Sequence, residues 1–272
     1  MRFSRLGLGV LGLAAVYSTG VAAAPLISHR AVYDLTLDKA SDRTGITGLT
    51  GRMVYEFNGS RCEGWTVNFR FVTRIDTAET SRLTDQQTTT FEDAEGKSFS
   101  FLTKSFTDSA LDKEVKGNAT RESGGLKVEI DKPEHNELEL PATQFPTQHL
   151  EELIDKANAG EVFYETSLFD GSENGDQVMT TTVVVGKKTG APAGDPELSV
   201  LKDMAKESYW PVDIAYFDLA NDGGEELPEY RIAFKLHENG LTRDLEMDYG
   251  DFSMKGRLVD LSVFDAPARD CN

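Results

Sequence analysis

Cysteine, histidine and positive charge are all scarce in this chain. Two cysteines and four histidines stand among 272 residues. No C-x-x-C or H-E-x-x-H spacing joins them into a redox or zinc motif. There is no G-x-S-x-G elbow, no S-x-x-K and no glycine-rich phosphate loop, so the common nucleophilic and nucleotide-binding sites have no sequence support. No apolar run of helix-spanning length follows the N-terminal region, so no later segment reads as a membrane helix. Lysine and arginine total 28 against 46 acids, a net charge of −18. That field repels phosphate backbones and anionic headgroups, which excludes nucleic acid as a partner. Acids this numerous bring some pairs to about 5–9 Å by chance alone, so a glycosidase reading has no specific support.

What is present begins with an export signal. Arg2 and Arg5 make a basic start, Leu6 to Val16 is an apolar, small-residue run, and Ala22-Ala23-Ala24 is an A-x-A cleavage site before Pro25. The run is short and interrupted by glycines, which favours a cleaved signal over an anchor. No cysteine lies near the cut to carry a lipid, and no Arg-Arg pair marks the twin-arginine route. Residues 1–24 are therefore expected to be a signal peptide and 25–272 one mature, exported β domain. Cys62 and Cys271 both lie in the exported part, where a lone pair is expected to bond. The loop would span roughly 210 residues and contribute up to about 5 kcal/mol in the chain-entropy view. A redox-active pair is the alternative, without a C-x-x-C motif or an activating cation to support it. A bond would bring the extreme C-terminus to an early strand.

From Pro25 to Ile130 the hydrophobic period is two. Ala31, Tyr33, Leu35 and Leu37 alternate with polar or outward residues, and Met53, Tyr55 and Phe57 repeat this before the turn dipeptide Asn58-Gly59. Trp65, Val67, Phe69 and Phe71 face one way, with Thr66, Asn68 and Arg70 facing the other. Alternation resumes after residue 160 and continues to Phe264. Some 12–14 strands, each with one wet side, predict an antiparallel barrel or sandwich.

Leu140–Asp176 interrupts that pattern. Pro141 and Pro146 stop the preceding strand, and Pro146 suits a first helical turn. Leu150, Leu153, Ile154 and Ala157 fall at i, i+3, i+4 and i+7 and form one apolar stripe. Glu151, Glu152 and Asp155 are placed toward the positive end of the helix dipole, and Gly160 is the C-cap. A lone helix of about 13 residues is marginal in water. Its docking face must therefore pack on the sheet, and a plug or lid of an open barrel is expected.

Three features suggest chemistry. Asp170, Ser172, Asn174 and Gly175 mimic the start of a calcium loop, but Thr181 stands where a bidentate Glu belongs, so a turn is preferred. His149 with Glu152 at i+3 resembles half of a di-metal site whose other half is missing, which favours a capping or interface histidine. No metal and no cofactor is expected. Phe69, Phe71, Phe99, Phe101, Tyr209, Trp210, Tyr216 and Phe217 suit a core. A barrel of this strand number also encloses more volume than side chains fill, enough for an apolar pocket that takes an acyl chain or a peptide.

Three stretches carry a family resemblance. FPTQHLEELIDKANAGEVFYETSLFDGSENGD, ESYWPVDIAYFD and LEMDYGDFSMKGRLVDL, with a terminal cysteine, resemble the EipB (cell-envelope integrity protein B) family of α-proteobacteria. The resemblance covers the mature chain. It implies an antiparallel β-spiral, an incompletely closed barrel similar in shape to LolA- and LolB-type lipoprotein carriers. It also implies the Cys62–Cys271 disulfide, a role in envelope maintenance and stress resistance, and action in concert with a periplasmic tetratricopeptide-repeat protein. It carries over no catalytic residue. The resulting expectation is a non-enzymatic factor that binds a lipidic, lipoprotein or protein partner. The alternative is an envelope hydrolase with two carboxylates facing one cleft.

Overall fold

The computed structural model describes residues 25–172, 174–218 and 227–265. The expected signal peptide and Cys271 lie outside these residues. The first eight strands are β1 (His29–Ala40), β2 (Ile46–Ser60), β3 (Gly64–Thr77), β4 (Ser81–Glu92), β5 (Ser98–Thr107), β6 (Ala110–Glu122), β7 (Gly125–Lys132) and β8 (Asn136–Leu140). Helix α1 (Pro146–Ala159) follows. Six more strands complete the sheet: β9 (Phe163–Leu168), β10 (Met179–Val185), β11 (Tyr209–Phe217), β12 (Tyr230–His237), β13 (Thr242–Asp248) and β14 (Phe252–Val263).

All fourteen strands belong to one sheet, in the order β8 to β1, then β14 to β9. Every named pairing is antiparallel. Each neighbour in space is a neighbour in sequence, except that β1 pairs with β14. The first and last strands are thus laced together, with His29 opposite Val263. The edges are β8 and β9, which follow one another in the chain but are parted by α1. One parallel bridge, Gln144 to Leu168, crosses that gap. The sheet is therefore an open spiral, not a closed barrel.

Two apolar clusters fill it. The larger draws on β1–β3, β9–β14 and α1, with Tyr33, Leu35, Trp210 and Leu236 at its centre. The smaller joins Phe99, Phe101, Phe145 and Phe169 with Val128 and Ile130. Phe145 stacks on Phe99 with ring centroids 5.3 Å apart, and offset aromatic pairs of this kind add to simple burial.

Helix α1 begins at Pro146 and ends at Gly160, whose φ of 80° is the left-handed C-cap conformation. Its first turn contains no acid, so the expected placement of Glu151, Glu152 and Asp155 at the dipole's positive end is corrected. The helix starts early enough that they fall in later turns. The carboxylate at that end comes from the sheet instead: Glu92 on β4 accepts from the amides of Thr147 at 2.7 Å and Gln148 at 3.2 Å. A second helix, α2 (Leu198–Leu201), leads into a 3-10 turn at Lys202–Lys206. The single-helix expectation is corrected here too, since four residues are too few to register as a period.

Candidate binding cavity

The strands that alternate most cleanly supply the cavity wall. On β3, Val67, Phe69 and Phe71 point inward. On β2, so do Met53, Tyr55 and Phe57. From the other arm of the spiral come Ile214, Tyr216, Tyr230 and Ile232, and α1 contributes Pro146, Thr147, His149, Leu150 and Leu153. They enclose about 440 Å³, within the range of about 300–1,000 Å³ typical of small-molecule pockets. The lining is mainly aromatic and aliphatic, with tyrosine hydroxyls, Gln86 and His149 among its polar groups.

Of the expected docking face, Leu153, Ile154 and Ala157 are buried in the main core. Leu150 is half-buried and faces the cavity. The aromatics divide. Phe69, Phe71 and Tyr216 line the cavity, whereas Phe99 and Phe101 build the smaller core. Tyr209 and Trp210 are buried and outside the lining, and Phe217 is half-buried and outside it too.

Burial pushes the hydroxyls of Tyr33, Tyr55, Tyr216 and Tyr230 well above the ordinary phenol range. They stay protonated, so each keeps its donor proton. Tyr33 already donates to the Thr242 carbonyl at 2.6 Å. His149 is buried and held below its usual pKa by desolvation. Its Nε2 lies 3.2 Å from the Thr181 hydroxyl. Glu152 accepts from the Gln144 side chain at 2.6 Å, and its charge acts on His149 against the desolvation.

The Asp170–Asp176 segment is part of a broad connection between β9 and β10. Asp170 accepts from the Ser172 amide at 2.8 Å, and Gly171 and Gly175 have positive φ with the Phe101 ring directly beneath them. Thr181 donates to the Thr166 carbonyl. No group of three or more metal-ligating side chains occurs among the described residues.

One feature has no motif behind it. Arg243, fully buried, donates to Asp195 at 2.8 Å, Glu197 at 2.9 Å and His237 Nε2 at 3.0 Å. Glu197 also accepts from the amides of Asp244 and Leu258. Burial raises the Asp195 carboxyl, but Lys235 and Arg243 outweigh it and hold it at about 2. Burial, then Arg243, pushes His237 down to about 4. The cluster fastens the α2 segment to β13 and β14, and none of its members lines the cavity. The available signal was an arginine sharing a strand face with Leu245 and Met247.

An open antiparallel spiral with an interior cavity is a distinctive arrangement, and comparison with known proteins assigns it. The EipB-like family matches residues 21–265. The chain belongs to the EipB-like family. A relative, the cell envelope integrity protein EipB of Brucella abortus (strain 2308), is 55% identical over 273 residues, covering 97% of this chain and 96% of that protein. A crystal structure described as a beta-barrel-like protein of domain of unknown function DUF1849, also from Brucella abortus, superposes with a TM-score of 0.84. It is 59% identical and covers 89% of this chain and 99% of its own. The EipB-like fold of the chain is thus seen in both sequence and structure.

Proposed function

We propose that the protein is a non-enzymatic periplasmic factor that maintains the cell envelope by holding an apolar ligand, a lipid or the acyl part of a lipoprotein, inside the spiral. The observation that carries this reading is the 440 Å³ aromatic cavity walled on one side by α1. The name of the Brucella relative supports the envelope role. The export signal read at Ala22–Ala24 supports a periplasmic site of action, where a tetratricopeptide-repeat protein is the proposed partner. The hydrolase alternative needs two acids facing one cleft, and the cavity lining contains none.

Native mass spectrometry of protein released gently from its own periplasm tests the proposal. A bound lipid mass on a chain beginning at Pro25 is expected. In parallel, Leu150→Trp should fill the cavity, abolish that mass and fail to restore detergent resistance in a deletion strain. A ligand-free native protein whose Trp variant restores resistance fully would overturn the carrier reading.

A further inference from the structure

Strand β4 breaks the apolar rule that β3 follows. On β3, one face is apolar. Directly opposite Val67, Phe69 and Phe71 on β4 stand Thr90, Thr88 and Gln86, and residues directly opposite share a face. The next strand continues the polar surface, with Thr103 opposite Thr88 and Ser105 opposite Gln86. The inner face of the spiral is thus hydroxylated between its two apolar clusters. Such a face inside a fold costs stability unless its groups are hydrogen-bonded or wet.

These side chains border a second cavity of about 340 Å³. Tyr55, Val67, Phe69, Gln86 and Pro146 line both cavities, so the two are adjoining lobes of one interior. The first turn of α1 stands at their junction. The larger lobe is the more apolar of the two, and the smaller presents a cluster of groups that both donate and accept. Thr88 and Thr103 pair at 3.0 Å, and each hydroxyl retains further capacity.

We infer that the two lobes together bind an amphiphile, with its apolar chain in the larger lobe and an uncharged, hydroxyl-rich head group, such as a sugar, in the smaller. This rests on the cavity-binding reading above and names its ligand class. Mixed donor–acceptor side chains match a polyol, whose hydroxyls have the same dual character. A phosphate or sulfate head calls for a cluster of cations or a bidentate arginine. The smaller lobe contains one lysine, Lys113, and one aspartate, Asp170, so its lining is balanced in charge. The net charge of −18 further opposes entry of an anion. Tyr55 and Phe69, at the junction, offer ring faces on which the C–H face of a sugar packs.

Calorimetry on the mature protein with decyl maltoside, decyl sulfate and decylphosphocholine, each below its micellar concentration, tests this. The three share a chain and differ in head group. The maltoside is expected to bind about tenfold more tightly than the other two, the effect of one or two net hydrogen bonds. Thr88→Val with Thr103→Val removes both partners of one hydrogen bond, leaves no orphan, and suits a strand. It should remove the preference while leaving decylphosphocholine binding unchanged. Gln86→Leu gives a second variant should the pair not fold. Equal binding of the three, or a preference that survives both variants, overturns the head-group inference and leaves the cavity reading standing. Failure of all three to bind overturns both.

Discussion

Glu92 and His237 are buried titratable groups with opposite consequences for stability. Burial raises the Glu92 carboxyl, against the hydrogen bonds from Thr147 and Gln148 that lower it. A carboxyl whose folded pKa lies above its unfolded value stabilises fully below the unfolded value of 4.5, and that contribution is lost as pH rises through the folded pKa. Glu92→Gln has no such slope, so its stability should gain on the parent's between pH 4 and 7. A constant difference in urea midpoints across that range would exclude the titration. Glu92→Ala should cost about 1–2 kcal/mol, since it removes the cap of α1. For His237 the folded pKa is depressed, to about 4 from 6.5. Its contribution is present above pH 6.5 and is lost as pH falls through 4. His237→Gln keeps an acceptor for Arg243 Nε but does not titrate, so its melting temperature should fall less steeply between pH 6.5 and 4. An identical slope in both proteins would remove His237 from the acid transition.

At the scale of elements, α1 was the most legible part of the chain. Pro146, Gly160 and the stripe of Leu150, Leu153, Ile154 and Ala157 each mark the helix independently, and its bounds follow from them. The strands were legible because period-two alternation survives wherever one face is wet. What escaped sequence reading depends on partners far away in the chain. Glu92 lies 55 residues from the amide of Thr147 that it caps. Asp195 and Arg243 meet across 48 residues, and no local pattern records the meeting. Leu153 shows what docking contributes. It is buried beside Ile154 in the main core, and Leu153→Ala should destabilise by about 2–5 kcal/mol, as cavities in packed cores do. The same change at half-buried Leu150 should cost much less and enlarge the cavity. If denaturant midpoints show equal losses, α1 does not divide its stripe between core and cavity.

For the whole molecule, the decisive constraint is the lacing of β1 to β14. An open spiral has two free edges, and its first and last strands pair with each other along the middle of the sheet. The described chain ends reinforce that seam. The Phe264 amide donates to the Ser28 carbonyl at 2.9 Å, and the Ser28 hydroxyl reaches the Gly59 carbonyl at 3.2 Å. Gly59 lies three residues before Cys62, and Phe264 seven before Cys271. The proposed disulfide would start from Cys62, beside the seam where Phe264, Ser28 and Gly59 already meet. Because the seam is hydrogen-bonded over most of β1, Cys62→Ser should leave the fold intact. It should lower the melting temperature, by an amount corresponding to about 2–4 kcal/mol. Dithiothreitol should lower the parent's melting temperature to that of the variant and leave the variant's unchanged. Equal melting of oxidised and reduced parent would mean that strand pairing alone secures the ends.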